Sequence, residues 1–383
     1  MLTSIPNYPA GKYYEGYGVF SKRKERFKGI NIIRIPVIPR GSGSSLMLSL
    51  SYLSYVFSGL IYSFTFIRKK YDLIFVFEPS PITVAIPAIA IKKFLKLPLC
   101  IWVLDLWPES VSAAGNLKSD LIPRLLLPIV KFIYKQSDLI MVSSMGFIDS
   151  IKKKGVEESK IKYFPQWSEE IFESKLVNHS SKHKDKIPNG FVIMFAGNIG
   201  EAQDFPAVVK AAVQLKDYKD IHWVILGNGS RMEWLRNSII ENDLGDNFHI
   251  LGQFPIEDVP EFYSYADSLL ISLKREEIFS LTVPAKLQTY LASRKPILSM
   301  LDGEASRIID EAEAGFTAES GDYVNLSKNV LKMRNLSKDQ IMNMGNNSYL
   351  YFEDHFKSKK LLNEAEQIFK NMIRKGSQNN STD

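Results

Sequence analysis

The chain has 383 residues, of which 45% are hydrophobic and 23% charged, so it can bury two cores and is not a disordered chain. A single cysteine, Cys100, excludes a disulfide framework and fits a reducing compartment, and the spacing of the five histidines predicts no zinc site. The net charge is +12 over residues 1–168 and −6 over the remainder, which indicates an anionic partner for the first half, either nucleic acid or a membrane surface.

Strands and helices alternate in the first half, the pattern of a doubly wound α/β domain. The predicted strands are residues 30–38, 72–77, 98–103, 139–142 and 162–164, and the predicted helices are residues 46–67, 82–94, 122–136 and 145–153. Residues 45–68 are long enough to span a membrane, but six serines interrupt them. We therefore expect an apolar helix that packs on a sheet and touches a membrane. Residues 1–6 lack the features of a secretory signal.

A second α/β run follows a linker that begins at Pro165 and a polar loop at residues 175–189. Its predicted strands are Phe191–Ala196, residues 222–226, 248–251 and 269–273, and a strand that starts at Lys295. Its predicted helices are Phe205–Gln214, residues 231–242, Val259–Tyr265, Ala285–Ala292 and a terminal helix at residues 352–373. Residues 376–383 have the composition of a disordered tail.

Glycine-rich turns follow the strands of this second run. The turn residues are Gly197, Asn198, Gly200, Gly227 and Gly252. Glycine lets backbone N–H groups approach a diphosphate closely, although ordinary βα connections also use it. No P-loop motif accompanies them, and no Gly-x-Gly-x-x-Gly motif with a suitably placed acidic residue does so.

A basic loop lies between the strand at residues 269–273 and the helix Ala285–Ala292. Its cations and hydroxyl donor are Lys274, Arg275, Thr282 and Lys286. Ligands of open α/β sheets bind at the carboxyl ends of the strands, and a helix N-terminus favours anions. The loop and the glycine turns together predict a phosphate-bearing ligand. The alternative for the loop alone is an exposed basic loop before an ordinary helix.

Carboxylates follow two strands of the first half. Asp105 and Glu109 flank Trp107-Pro108, and Glu78 follows the neighbouring strand. Carboxylates at strand ends beside an aromatic residue suit acid–base chemistry or hydroxyl binding on a sugar. The alternative is a helix N-cap with an acidic residue in the first turn, and for Glu109 that alternative remains open.

Four motifs occur in the order in which family 4 glycosyltransferases carry them. They are Phe77-Glu-Pro-Ser-Pro81, Trp102-Val-Leu-Asp105-Leu-Trp-Pro-Glu109-Ser, Phe195-Ala-Gly-Asn-Ile-Gly-Glu-Ala-Gln203 and Phe279-Ser-Leu-Thr-Val-Pro-Ala-Lys-Leu-Gln288. Over about residues 6–369 the sequence resembles this family. The resemblance is greatest to the bacterial N-acetyl-L-fucosaminyl transferases of O-antigen and capsule synthesis.

The resemblance implies the B-type glycosyltransferase fold, an α/β architecture in which two Rossmann-like domains face a cleft. It also implies retaining transfer from a UDP-sugar to a polyprenyl-diphosphate-linked acceptor, with no obligatory metal and no cofactor. On this reading the glycine turns, Thr282 and Lys286 bind the donor. Lys274 or Arg275 neutralises the leaving diphosphate, and Asp105 and Glu109 hold or polarise the sugar or acceptor hydroxyl.

The sequence departs from the family pattern at two places. Many members carry a Glu-x7-Glu pair in the donor domain, but the matching positions here are Leu281 and Thr289. Glu304 is our substitute for the carboxylate that holds the ribose. The family's first βα unit, which normally precedes Asn7-Tyr8-Pro9, is not found either, so we expect the N-terminal domain to lack about 30–45 residues. A start codon placed too far downstream or a truncated gene would account for it.

Four segments are predicted along the chain. Residues 1–168 form an acceptor- and membrane-facing domain, residues 169–350 a nucleotide-sugar domain, residues 351–375 a helix that packs back on the first domain, and residues 376–383 a tail. The predicted function is sugar transfer in O-antigen or capsule synthesis. The alternatives are a non-catalytic nucleotide-sugar-binding subunit and a nucleic-acid-binding module, although no recognised nucleic-acid motif is present.

Basic residues beside apolar helices predict that the first domain lies on the anionic inner face of the plasma membrane. Lys92, Lys93 and Lys96, with Glu78, form the predicted acceptor and membrane region. Further basic residues of this surface are Lys22, Arg23, Lys24, Arg26, Lys28, Arg68, Lys69 and Lys70. Such side chains attach a protein reversibly to anionic lipid. The alternative is a solvated charged face over a packed core.

Overall fold

The computed structural model describes residues 1–41, 44–65, 70–114, 121–173 and 181–379. The chain divides into two compact units. Unit 1 consists of Met1–Ser143, Phe147–Phe164 and Ala365–Asp383, and unit 2 consists of Ser144–Gly146 and Pro165–Glu364.

Unit 1 holds two sheets within the described residues. Its strands are β1 Leu2–Ser4, β2 Lys24–Phe27, β3 Ile30–Ile35, β4 Ile74–Glu78, β5 Leu99–Val103, β6 Leu139–Val142 and β7 Ile161–Tyr163. One sheet has the order β1-β3-β2, with β2 antiparallel to β3, and the other is the parallel sheet β4-β5-β6-β7. All five residues of β5 are buried, as a continuous apolar strand inside a parallel sheet requires.

The helices that lie wholly in unit 1 follow its strands. They are α1 Ser45–Ser63, α2 Ala85–Leu95, α3 Glu109–Ala114, α4 Leu121–Gln136 and α5 Phe147–Lys153. Ser44 caps α1 by accepting a hydrogen bond from the Met47 amide at 3.4 Å. A short 3₁₀ turn at Ile82–Val84 precedes α2, where one continuous helix was predicted.

Unit 2 contains one parallel six-stranded sheet. Its strands are β8 Phe191–Ala196, β9 Ile221–Leu226, β10 Phe248–Gly252, β11 Ser268–Ser272, β12 Ile297–Met300 and β13 Gly315–Ala318. The order is β10-β9-β8-β11-β12-β13. The direction of strand addition therefore reverses between β8 and β11, and ligands of open α/β sheets bind at such a point.

Helices cover both faces of this sheet. They are α6 Phe205–Gln214, α7 Met232–Glu241, α8 Val259–Tyr265, α9 Glu277–Leu281, α10 Ala285–Ala292, α11 Glu304–Glu311, α12 Tyr323–Arg334, α13 Lys338–His355 and the first residues of α14 Ser358–Asn379. Val192 and Met194 of β8 enter one core, and Ile193 and Phe195 enter the other. This alternation is that of a strand buried on both faces.

The single terminal helix predicted at residues 352–373 is wrong. The chain forms α13 and α14, which are separated at Phe356, whose side chain is buried. Helix α14 also continues to Asn379, so residues 376–379 are helical rather than part of a disordered tail. Residues 380–383 lie outside the described part of the chain.

Helix α1 is the one described helix whose length and composition would allow it to cross a membrane. It ends at Ser63, earlier than the predicted residue 67. The predicted membrane contacts Arg68 and Lys69 lie outside the described residues.

Candidate functional site

The glycine turns of unit 2 pack on one another at the carboxyl edge of its sheet. The Gly227 amide donates to the Gly252 carbonyl at 2.7 Å, and the Gly197 amide donates to the Leu226 carbonyl at 2.9 Å. Gly227 has a φ of +136°, and a Cβ there would lie 1.9 Å from the Gly197 carbonyl oxygen. Only glycine permits this close approach. The turns therefore form one continuous backbone surface.

Gly197 leaves room for a lysine. Its φ is +140°, and a Cβ at this position would lie 2.5 Å from Cε of Lys286, in the first turn of α10. The ammonium of Lys286 lies 3.7 Å from the centre of the Phe195 ring, close enough for a cation–π contact. Gly197 and Lys286, which were both predicted as site residues, therefore lie in contact just beyond the carboxyl end of β8.

Lys286 has no anionic partner among the described residues, because none of their ion pairs includes it. Burial lowers the pKa of this ammonium to about 7. A buried amine held without an anion costs free energy. Where such a group lies at the reversal point of an α/β sheet, an anionic ligand is the chemistry that would satisfy it.

Lys274 is paired with a carboxylate. Its ammonium binds Glu201, and Glu201 also accepts a hydrogen bond from Arg231. These two hydrogen bonds hold the pKa of Glu201 at about 2. Two cations on one carboxylate leave a net positive charge beside the glycine turns. Sequence reasoning missed Glu201 and Arg231, which follow β8 and β9 in the same way that Lys274 follows β11.

Arg275 contacts different carboxylates from those that Lys274 contacts. Its Nη2 donates to Glu319 at 2.9 Å and to the Ser320 carbonyl at 3.1 Å, and its Nε lies 3.7 Å from Asp302. Lys274 and Arg275 are therefore not interchangeable, although they are neighbours in sequence. Lys274 belongs with the glycine turns, whereas Arg275 ties the loop after β11 to residues that follow β12 and β13.

The remaining predicted donor residues have internal partners or stand exposed. Thr282 donates its hydroxyl hydrogen to the Ile278 carbonyl at 2.7 Å, which ends α9. Glu304 accepts from Arg307 at 2.7 Å at the start of α11. The Gly200 amide donates to Gln203 Oε1 at 3.0 Å, and Asn198 is exposed. Their predicted roles in donor binding stay predictions.

Unit 1 carries two neighbouring carboxyl groups at the ends of β4 and β5, one buried and one partly buried. Glu78 is fully buried, no side chain of the described residues forms a hydrogen bond to its carboxyl oxygens, and the backbone groups of Asp105 and Leu104 lie beside them. Burial raises the pKa of Glu78 well above its usual range, and the charge of Asp105 raises it further. Burial also raises the pKa of Asp105, although hydrogen bonds from Ser80 and Trp107 lower it in part. Glu78 is therefore the member of the pair that more readily stays protonated, and Asp105 the one that ionises first.

We expect Glu78→Gln to stabilise the protein at alkaline pH. Because the folded-state pKa of Glu78 lies above its unfolded-state value, its contribution to stability falls as the pH rises above about 4.5. The isosteric amide removes that loss, so the free energy of unfolding at pH 8 should rise relative to the parent. Urea unfolding at pH 5 and pH 8 measures the difference. Equal pH dependence in the two proteins would contradict a raised pKa at Glu78.

Glu109 takes part in a three-residue cluster. Its Oε1 accepts from Ser150 Oγ and from Lys154 Nζ, each at 2.6 Å. The Lys154 side chain is only 6% exposed, and burial lowers its pKa. Glu109 also opens α3 as its first residue. The geometry therefore gives Glu109 two partners within unit 1, Ser150 and Lys154.

The three lysines predicted for the membrane region differ in their surroundings. Lys92 donates to Asp138 at 2.6 Å and to the Gln136 carbonyl at 2.8 Å, so Asp138 neutralises it. Lys93 is exposed and lies 5.8 Å from the Phe132 ring centre, and Lys96 is exposed at the end of α2. No ion pair between described residues includes Lys93 or Lys96, and their role at a membrane stays a prediction. In the described part of the chain, no group of three or more His, Cys, Asp or Glu side chains is arranged to hold a metal ion.

Comparisons with known proteins bear on unit 2 and on the whole fold. Residues 178–350 match the family model described as Glycosyl transferases group 1. The chain is 27% identical over 253 residues to a protein of Pseudomonas aeruginosa named "Probable glycosyltransferase WbjE", covering 63% of this chain and 62% of that protein. It is 24% identical over 305 residues to a protein of Escherichia coli (strain K12) named "Putative colanic acid biosynthesis glycosyl transferase WcaI". That match covers 76% of this chain and 72% of WcaI.

Solved structures share the architecture at low identity. The structure of HepE of Anabaena in complex with UDP matches with a TM-score of 0.71 at 12% identity. The match covers 89% of this chain and 86% of the HepE chain. Sucrose-phosphate synthase from Thermosynechococcus elongatus has a TM-score of 0.74 at 13% identity and covers 93% of this chain and 86% of its own. The chain has the B-type glycosyltransferase fold of two Rossmann-like domains, as the resemblance implied.

Proposed function

We propose that this chain is a glycosyltransferase that moves a sugar from a UDP-sugar to a lipid-linked acceptor during bacterial surface polysaccharide synthesis. The observation that carries the proposal is Lys286, a partly buried residue whose ammonium has a lowered pKa and no anionic partner among the described residues, beside the glycine turns. The match of residues 178–350 to a glycosyl transferase family supports it. The names of WbjE and WcaI, and the UDP in the HepE structure, support the donor class and the setting.

Lys286 and Lys274 supply the charge that the leaving group needs. As the bond from the sugar to the diphosphate breaks, negative charge develops on the diphosphate, and cations fixed in place stabilise that charge without reorganising. The Gly197, Gly227 and Gly252 turns let backbone N–H groups approach the same group. In this scheme, ligand oxygens compete with Glu201 for the ammonium of Lys274. No metal ion or cofactor enters this scheme.

The carboxyl pair of unit 1 acts on the acceptor in this proposal. The acceptor hydroxyl must lose its proton as its oxygen bonds to the sugar carbon. Asp105, the ionised member of the pair, accepts or polarises that proton, and neutral Glu78 keeps a second negative charge out of the site. Glu304 is proposed to hold the ribose, because its carboxylate is near the carboxyl edge of the unit 2 sheet at the start of α11.

Unit 1 is proposed to work at the cytoplasmic face of an anionic membrane. Exposed Lys93 and Lys96 lie beside the exposed apolar side chain of Phe94. Basic and apolar side chains together suit a peripheral membrane protein. A lipid-linked acceptor presents its diphosphate at that surface, which places the sugar to be extended within reach of a peripheral enzyme.

The donor site is tested by calorimetric titration with UDP. Lys274→Ala should weaken UDP binding by about 10- to 100-fold, since a charge-assisted hydrogen bond contributes about 1.5–3 kcal/mol. Arg275→Ala should have a smaller effect, because Arg275 contacts residues that follow β12 and β13, whereas Lys274 contacts Glu201 next to the glycine turns. Lys219→Ala, an exposed residue of unit 2, is the matched control. Unchanged UDP affinity in Lys274→Ala would rule out this donor assignment, and a thermal-shift panel of UDP-sugars identifies the sugar.

A further inference from the structure

Helix α1 turns its large apolar side chains outward. The exposed face is formed by Leu46, Leu50, Leu53, Phe57, Ile61 and the C-cap Phe64. Their exposure runs from 38% at Leu50 to 70% at Leu46, and their spacing of three or four residues places them on one stripe. The buried residues of α1 are the small Ser51, Gly59 and Ser63. This arrangement is the reverse of a helix that packs on a soluble core.

The inward face explains why small residues are buried. A Cβ on Gly59 would lie 2.5 Å from Cγ of Pro87 in α2, so the two helices approach closely at this glycine. Away from this glycine α1 also buries a large side chain, since burial raises the pKa of Tyr55 to about 12. The six apolar side chains of the outward face, here called the α1 stripe, are exposed.

A basic hollow of about 900 Å³ lies at the carboxyl end of the same helix. Its cations come from β2, β3 and the loop before them, and they are Arg23, Lys24, Arg26 and Arg34. Glu25 is its one acidic lining residue, and it binds Arg34. Lys24 and Arg26 form no ion pair within the described part of the chain. The hollow therefore presents a net positive charge with two free cations.

Arg23 is held by an aromatic ring and a backbone carbonyl rather than by an anion. The Arg23 guanidinium lies 4.7 Å from the ring centre of Tyr62 in α1. Its Nη1 donates to the Val19 carbonyl at 3.3 Å. Tyr62 and Thr65 line the hollow and alternate in sequence with Ile61 and Phe64 of the α1 stripe. The cations and the apolar stripe thus adjoin at one end of one helix.

The hollow is distinct from the carboxylate pair of unit 1. Tyr52, in the first half of α1, lies 6.3 Å from Trp107, whose indole donates to Asp105. Tyr62 is ten residues further along, which is about 15 Å along a helix axis. The carboxylates therefore lie near one part of α1 and the hollow near its other end. A ligand in the hollow is not the hydroxyl on which Asp105 would act.

We propose that the basic hollow binds the phosphate headgroup of an anionic bilayer lipid whose hydrocarbon lies against the α1 stripe. The inference rests on the proposal that unit 1 works at a membrane, and it adds a defined headgroup site. Arginine binds phosphate oxygens with two parallel hydrogen bonds. An apolar surface and a cationic site together give stable attachment where either alone gives weak attachment. Nucleic acid would use the cations and leave the apolar stripe in water.

Vesicle sedimentation with the full chain tests the site. The parent should bind vesicles of phosphatidylcholine with phosphatidylglycerol at physiological ionic strength, and bind pure phosphatidylcholine weakly. Lys24→Glu/Arg26→Glu should lower binding to the anionic vesicles by about tenfold or more. Lys216→Glu/Lys219→Glu, which makes the same charge change on exposed residues of unit 2, should leave binding unchanged.

The apolar half is tested separately. Leu53→Ser/Phe57→Ser should weaken binding to both kinds of vesicle, whereas Ile240→Ser/Leu350→Ser, a pair of exposed apolar residues of unit 2, should not. Inorganic phosphate in the millimolar range should fail to displace the parent from anionic vesicles. The proposal is overturned if either unit 1 variant binds like the parent, if both charge variants lose binding equally, or if phosphate displaces the protein. No nucleotide sugar is present, so failure here leaves the UDP titration unaffected.

Discussion

Replacing Lys286 with methionine should make the ligand-free protein more stable while it removes donor binding. The folded-state pKa of Lys286 is about 7, far below that of an unfolded lysine. Its penalty on stability is therefore fully present below pH 7 and disappears as the pH rises toward 10.5. We expect Lys286→Met to raise the free energy of unfolding at pH 6 by about 1–3 kcal/mol, with a smaller gain at pH 9.

The same substitution should weaken UDP binding by at least about 100-fold, since it removes the cation beside the glycine turns that has no anionic partner among the described residues. The parent should bind UDP more weakly as the pH rises above 7 and should take up a proton on binding. Calorimetry in buffers of different ionisation enthalpy measures that uptake. Lys216→Met, an exposed lysine of unit 2, should change neither quantity. Loss of stability together with retained UDP affinity would place Lys286 in the packing of α10 instead.

Removing the carboxylate of Glu109 should destabilise unit 1 strongly. Glu109→Ala leaves the buried ammonium of Lys154 without its anion, which typically costs about 3–5 kcal/mol. Glu109→Ala/Lys154→Met should recover most of that loss, to within about 1 kcal/mol of the parent, because no charge is then buried. Lys152→Ala, which breaks the exposed pair with Glu158, should cost less than about 0.5 kcal/mol.

The double variant also separates the two interpretations of Glu109. If Glu109 acts on substrate, Glu109→Ala/Lys154→Met is folded and inactive. If Glu109 only holds Lys154 and Ser150, sugar transfer returns together with stability. Denaturation and a transfer assay on the same four proteins therefore assign the residue, with Lys152→Ala as the common control.

Much of unit 2 was predictable because its elements are locally determined. Strand β8 and helices α6, α8 and α10 have the predicted bounds, since β8 ends at a glycine and each of the three helices has a proline at its N-terminal end. The break at Phe356 was not predictable from local pattern. The sequence His355-Phe356-Lys357-Ser358 has no glycine or proline, and the separation coincides with burial of the Phe356 ring in the core of unit 2.

Local sequence also failed to predict strands β1 and β2. β2 reads Lys-Glu-Arg-Phe and has no apolar alternation, so its pairing with β3 depends on the neighbouring strand. The short β1 is likewise defined by its pairing with β3. Helix α9, which follows the loop after β11, lies in a segment that was predicted to be irregular.

The composition of the donor site was predictable, but the pairing of its charges was not. Lys274, Arg275 and Lys286 were chosen because they follow a strand and begin a helix. Their partners are distant in sequence: Lys274 binds Glu201, and Arg275 binds Glu319. Such pairs depend on which strands are neighbours in the sheet. Consequently the sequence could not show that Lys286, rather than its two basic neighbours, is the cation left without a partner.

The outward face of α1 affects what is measured in solution without lipid. Six large apolar side chains then remain in water on one helix, and exposed apolar surface of this kind favours contact between copies. Self-association should therefore rise with protein concentration and fall when mild detergent covers the helix. An oligomeric state determined in plain buffer would report on this uncovered face, so subunit stoichiometry is best measured with the protein on nanodiscs.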